Sequence, residues 1–206
     1  MIGIIDYGSG NIQAIKNIYK KLKIECKFVS EPHQLDGVDK IILPGVGAFD
    51  ETMAQLNDSG LREVLDIMVL EQNVPVLGVC VGMQIMASSS EEGKLDGLGW
   101  FDAKVKLFNE NIILHKPKLP HMGWNDIQPE KVHPILTSID FGKGYYFLHS
   151  YYFDCHDKSD ILATTCYGDI FHCAVNKGNI FGFQFHPEKS HSNGINLFKN
   201  FAEMEL

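Results

Sequence analysis

Cys80 stands between Gly78 and Gly82, after the apolar run Val74–Val79 and before a short helix-forming segment, Met83–Ala87. Gly-x-Cys-x-Gly in that setting is the cysteine form of a nucleophile elbow, a sharp strand-to-helix turn that lifts one side chain above a parallel sheet. The turn strains the backbone at the nucleophile, and a Cβ at either flank would strike neighbouring chain, hence the glycines. The thiol then lies at a helix start, whose partial positive charge favours thiolate. Read alone, the stretch favours the catalytic cysteine over its alternative, a small buried hydrophobe at the end of a core strand. A second group bears on the choice. The apolar stretch Phe181-Gly-Phe-Gln-Phe185 runs into His186-Pro-Glu188. Residues two apart on an extended chain face one side, and Pro187 is expected to keep the backbone extended between them. A carboxylate so placed orients an imidazole and stabilises its protonated form. Cys80, His186 and Glu188 thus compose a nucleophile, a base and an orienting acid, each at a strand end.

The elements that must carry these groups follow from apolar spacing. Ile2–Asp6, Ile24–Val29, Lys40–Leu43 and Val74–Val79 read as buried strands. Between them, Ile12, Ile15, Ile18, Tyr19 and Leu22 share one helical stripe, with Asn11 placed to cap it. Phe49–Leu70 is helical, with Met53, Leu56, Leu61, Val64, Leu65 and Met68 apolar and a break near Gly60. Strands alternating with helices imply a parallel sheet covered on both faces. Ligands bind such sheets at the carboxyl ends of the strands, where Asp6, Pro44–Gly47 and Cys80 would lie. Gly8-x-Gly10 lacks a third glycine, because Gln13 stands there, so a dinucleotide loop is not supported. After Gly93 short strands dominate: Trp100–Phe108, Trp124–Gln128, Tyr145–Leu148, Ile161–Tyr167, Ile170–Asn176 and Ile180–Phe185. They read as antiparallel hairpins on one edge of the parallel sheet, some rejoining it, before a helix over Gly194–Glu203. The fold class is α/β, with a mostly parallel central sheet, flanking helices and added hairpins, in a single domain over 1–206.

With 206 residues, 45% of them hydrophobic and 21% charged, the chain can bury a full core. A net charge of −8 argues against a nucleic-acid or anionic-membrane surface. No apolar run is long enough to span a bilayer and no signal-like segment opens the chain. Five cysteines without regular spacing suggest reduced thiols in a cytoplasmic protein. Cys155-His156 and His172-Cys173 are adjacent pairs whose side chains diverge on a strand, so no metal site is expected. Cys26, Cys155, Cys166 and Cys173 are expected to be packing residues. No cofactor is implied.

Gly-Val-Cys80-Val-Gly-Met-Gln84 and Gln184-Phe-His-Pro-Glu-Lys-Ser190 resemble the two signature segments of the class I, or triad, glutamine amidotransferases, a flavodoxin-like fold. The resemblance runs from Met1 to Phe201. Ile4-Ile-Asp-Tyr-Gly-Ser-Gly-Asn11, Leu43-Pro-Gly-Val-Gly-Ala-Phe49, Pro120-His-Met-Gly-Trp-Asn125 and His149-Ser-Tyr151 resemble one branch, the glutaminase subunits (HisH) of imidazole glycerol phosphate synthase in histidine biosynthesis. The resemblance implies that Cys80 attacks the side-chain amide of glutamine while His186 protonates the departing ammonia. Water then hydrolyses the γ-glutamyl thioester. Val81 N–H, free at the helix start, is one oxyanion donor, and the resemblance assigns the second to Val46 or Gly47. Glycines there permit a peptide flip, the expected switch by which a partner turns the glutaminase on. Gln84, Gly45, Ser150 and Tyr151 are implied to hold the substrate, whereas His149 has a structural role.

Ammonia freed into water is mostly protonated and lost as a nucleophile, and 206 residues hold no second catalytic domain. The resemblance therefore implies a heterodimer that channels ammonia to a HisF-like (β/α)8-barrel cyclase, with Asn11, Trp124 and Lys189 near the interface. Two other readings fit the same residues. One is a paralogous glutaminase whose barrel partner amidinates a surface-polysaccharide sugar, suggested by Ser88-Ser-Ser-Glu-Glu-Gly93 and His191. The other is a non-catalytic regulatory subunit, which intact Cys80, His186 and Glu188 weigh against.

Overall fold

Ile2-Gly-Ile-Ile5 has no polar alternation, and as β1 (Ile2–Ile5) it is buried along its whole length. In the computed structural model, which describes residues 1–114 and 116–205, it lies inside an extended sheet. It continues into α1 (Ile12–Leu22), β2 (Cys26–Val29), β3 (Lys40–Gly45), α2 (Phe49–Asp58), α3 (Arg62–Asp66), β4 (Val76–Cys80) and α4 (Val81–Gln84). These strands pair in parallel in the order β2-β1-β3-β4. Because the chain leaves β1 toward one edge and β3 toward the other, right-handed crossovers put α1 and α2–α3 on opposite faces. Ile15 and Tyr19 of α1, and Met53, Leu56, Leu61, Leu65 and Met68 of the α2–α3 segment, are buried, while Val64 is half-buried. The expected break falls at Gly60, whose φ of +71° an L side chain rarely adopts. A π-helical turn, Ile67–Glu71, then closes the segment. Asn11 occupies the cap position of α1, but its side chain caps nothing.

The second half extends the sheet. It comprises β5 (Ser89–Ser90), β6 (Ala103–Leu107), β7 (His121–Asn125), β8 (Gln128–Pro129), β9 (Tyr145–His149), β10 (Tyr151–Cys155), β11 (Ile161–Tyr167), β12 (Asp169–Lys177), β13 (Ile180–Phe183) and α5 (His191–Glu203). β13 lies parallel to β4 and antiparallel to β12, so the last strand in sequence sits in the middle of the sheet. Beyond β12 the order continues through β10, β6 and β5, and β7 pairs with β9 in a separate two-stranded sheet. The hairpins thus occupy one edge and one of their strands rejoins the parallel part. Trp124–Gln128 is not one strand: Trp124 falls near the end of β7, and Gln128 begins β8. Trp100 precedes β6 rather than joining it, because its indole N–H donates to Asp66 at 2.7 Å. α5 covers α1, with the rings of Tyr19 and Phe198 5.6 Å apart, edge to face. Among the described residues no helix is long and apolar enough to cross a membrane.

Candidate active site

The bend after β4 has the strain expected of an elbow. Cys80 has φ 55° and ψ −114°, a left-handed φ for a residue with a side chain. The bend lets α4 press against the end of β3. A Cβ on Gly82 would fall 1.9 Å from the carbonyl oxygen of Leu43, and one on Gly45 would fall 2.4 Å from the Gly82 nitrogen. Side chains at these two positions would force β3 and α4 apart, and Cys80 with them.

β13 brings His186 to the same end of the sheet as Cys80, since Phe183 pairs with Val79. His186 follows, its N–H donating to the Tyr146 carbonyl at 2.8 Å, while Ser190 Oγ donates to the His186 carbonyl at 2.7 Å. The next residues are not extended: Pro187–Lys189 form a 3-10 turn, which folds Glu188 back so that its Oε1 lies 2.9 Å from His186 Nδ1. Cys80 and His186 face each other across the same cavity. Burial works against a charged ring here. The neighbouring Cys80 and the Glu188 carboxylate outweigh it and push the His186 pKa up to about 10. The Glu188 side chain is 1% exposed, and its second oxygen has no hydrogen-bond partner among the described residues.

Cys80 and His186 open into a cavity of about 300 Å³. Of the residues singled out from the sequence, Val46, Gly47, Val81, Gln84, Ser150, Tyr151 and Lys189 also line it. Asn11, Trp124 and Gly45 do not, Gly45 being packed against Gly82 instead. Asp6 lies outside the lining as well; its neighbours Tyr7 and Ser9 serve the site indirectly. Tyr7 hydroxyl donates to the Pro44 carbonyl. Ser9 Oγ clasps Val46 at both ends, accepting from its N–H at 2.9 Å and donating to its carbonyl at 2.9 Å. In this conformation the Val46 N–H is therefore engaged by Ser9.

Three polar residues of the site escape a reading of the sequence. Gln184 is fully buried, and its Nε2 approaches Cys80 Sγ at 3.9 Å while its Oε1 accepts from Gln84 Nε2 at 3.0 Å. Glu92 lines the cavity, its Oε2 accepting from the Phe49 N–H that starts α2 at 2.9 Å. Ser9 is the third. Each sits in an ordinary local pattern, and the only signal is a polar residue within or beside a buried run. His149 lines the cavity but faces inward onto His121, with ring nitrogens 3.0 Å apart. Burial, then the neighbouring His121, push its pKa down to about 3, so it is neutral.

Beside the cavity lies a partly apolar rim. Trp124 is 49% exposed and stacks on His191 at 5.1 Å, and exposed Lys189 holds its Nζ 5.5 Å from the Tyr146 ring centre. Val46, Met122 and Leu148 are exposed there too. All five cysteines are free; Cys26 is half-buried and Cys166 is exposed, so Cys166 is not a packing residue. Among the described residues no group of three or more His, Cys, Asp or Glu is placed to hold a metal ion. The Cys155 N–H donates to His172 Nδ1 at 3.1 Å.

Residues 3–204 match the family model described as glutamine amidotransferase class-I. The chain is similar to "Imidazole glycerol phosphate synthase subunit HisH" of Leptospira borgpetersenii, 48% identical over 99% of this chain and 100% of that one. It is 50% identical to the protein of the same name from Bdellovibrio bacteriovorus, with the same coverage. A solved structure described as "Crystal structure of glutamine amidotransferase" superposes with a TM-score of 0.73 at 22% identity, covering 98% of this chain and 99% of that one, a likeness of fold.

Proposed function

The chain belongs to the class-I glutamine amidotransferase family, and from that premise we propose that it is the glutaminase subunit of an imidazole glycerol phosphate synthase, with Cys80, His186 and Glu188 as its catalytic residues. The observation that carries the reading is the cavity in which a strained cysteine meets an imidazole oriented by a buried carboxylate. In the proposed sequence, Cys80 passes its proton to His186 and its sulfur bonds the Cδ carbon of glutamine. His186 returns the proton to the nitrogen, the C–N bond breaks, and ammonia leaves. Water, giving a proton to His186, then attacks the thioester carbon, and glutamate departs as the C–S bond breaks.

The lining suggests how glutamine is held. The Glu92 carboxylate suits the α-ammonium of an amino acid, and Gln84 with the Ser150–Tyr151 backbone suits its polar groups. Val81 N–H is the standing oxyanion donor. Val46 N–H becomes the second when its peptide turns away from Ser9, so the resting site is unfinished and the Ser9 clasp is what a partner must release. The partner subunit is a HisF-like (β/α)8-barrel cyclase that receives the ammonia in histidine biosynthesis. It docks over the rim of Trp124 and Lys189, with Asn11 close by, where an exposed aromatic beside a cation suits an interface.

The test uses the chain co-purified with the barrel cyclase of the same genome and the nucleotide substrate of imidazole glycerol phosphate synthase. Cys80→Ala is expected to abolish glutamine-driven synthesis and leave synthesis from added ammonium salt intact. Equal loss of both activities would contradict the division of labour.

A further inference from the structure

A continuous run of hydrogen bonds joins the partner-side strand β7 to the nucleophile. The amide of Asn125 is oriented by its surroundings: Oδ1 accepts from the Asp126 N–H at 2.9 Å, and Nδ2 donates to the Cys166 carbonyl at 2.9 Å. Nδ2 also lies 3.3 Å from His121 Nε2, so that ring nitrogen faces a donor and carries a lone pair. At the other end, His149 Nδ1 lies 2.7 Å from the Tyr151 carbonyl, which only accepts, so Nδ1 carries the proton. The neutral His149 ring then has a bare Nε2, and His121 Nδ1, 3.0 Å away, must donate to it. Both rings are thereby fixed as Nδ1–H tautomers, and the assignment agrees from either end. The Tyr151 carbonyl also accepts from Gln84 Nε2 at 3.0 Å. The other Gln84 hydrogen goes to Gln184, whose own amide faces the sulfur. His121, His149, Gln84 and Gln184 are each at most 7% exposed.

We propose that His121 and His149 are positioning residues for glutamine hydrolysis: a tautomer-locked imidazole pair that fixes the Leu148–Tyr151 wall of the cavity, and through Gln84 and Gln184 the Cys80 sulfur, relative to β7. The proposal rests on the glutaminase reading above. A reversed link in this buried run would set two N–H groups, or two bare nitrogens, face to face at a cost of about 1–3 kcal/mol. The pair therefore has one low-energy arrangement. It places the wall wherever β7 holds His121, so the docking strand and the substrate wall move as one body.

Two measurements on the full chain decide the matter. Nitrogen-15 NMR of histidine-labelled protein at neutral pH is expected to show both rings as neutral Nδ1–H tautomers; an Nε2–H tautomer on either ring overturns the proposal. In the complex, His121→Leu is expected to lose at least tenfold in kcat/KM for glutamine. His121→Asn, whose amide nitrogen can replace the Nδ1–H donor, is expected to regain most of it. Synthesis driven by ammonium salt should be unchanged in both, which confirms folding and assembly. His121→Leu within twofold of the unaltered chain, or His121→Asn equally impaired, overturns the proposal. If His121→Leu does not fold, the NMR result decides alone. A chain with no glutaminase activity would refute the glutaminase reading and leave the tautomers as they are found.

Discussion

Ser9→Ala should raise the glutaminase rate of the chain without its partner. Ser9 Oγ makes two hydrogen bonds to Val46, both 2.9 Å, and Thr52 Oγ1 adds only a longer one to the carbonyl, at 3.4 Å. A neutral hydrogen bond contributes about 0.5–1.5 kcal/mol net. Val46 is 45% exposed, so water takes over part of the lost bonding and the low end applies. Two bonds at about half a kilocalorie each sum to about 1 kcal/mol, which shifts the clasped-to-released ratio about fivefold. If released Val46 N–H completes the oxyanion hole, the resting rate follows the released fraction and rises by the same factor. With saturating partner the clasp is already open, and kcat should not change. The assay is glutamate release by the isolated chain and by the complex, with thermal midpoints of both proteins to confirm folding. A resting rate that stays level or falls, in a chain that folds and serves its partner normally, would refute the clasp as the restraint.

Gly82→Ala should dismantle the elbow: a methyl 1.9 Å from the Leu43 oxygen forces β3 and α4 apart. The expected cost is about 3 kcal/mol or more, or about 6–12 °C in Tm for a chain of this size, with loss of Cys80 alkylation by a glutamine-like electrophile. His149 predicts a pH effect of definite sign. Its pKa falls from the ordinary histidine value to about 3 on folding, so the unfolded chain binds the extra proton and stability is lost as pH drops from about 6.5 toward 3. His149→Phe should therefore show a shallower decline of Tm over that range than the unaltered chain; identical slopes would show that His149 is not buried as a neutral ring.

Much of the fold was legible because the first half obeys two periods strictly. Buried parallel strands are apolar on both faces, and the helices between them repeat every three to four residues. Cys80 and His186 were legible for a related reason, since each ends such a strand within a local motif. The strand Tyr151–Cys155 was not legible, because Tyr-Tyr-Phe-Asp-Cys carries no alternation; its register comes from β6 across five paired positions. Pro187 pointed to extended backbone and gave a 3-10 turn instead, since proline suits the first position of such a turn as well as a strand end. Gln184, Glu92 and Ser9 stayed hidden for one shared reason. Their partners lie far off in sequence, 104 positions in the pair Gln184 and Cys80, and no local pattern records them.

That same separation has a consequence for how the protein is made. β13 fills the place between β4 and β12, so the middle of the sheet stays open until β13, made long after β4, has left the ribosome. Contacts that span so much sequence form slowly. A nascent chain therefore carries the Cys80 thiol without the His186 imidazole until β13 and the turn after it have emerged.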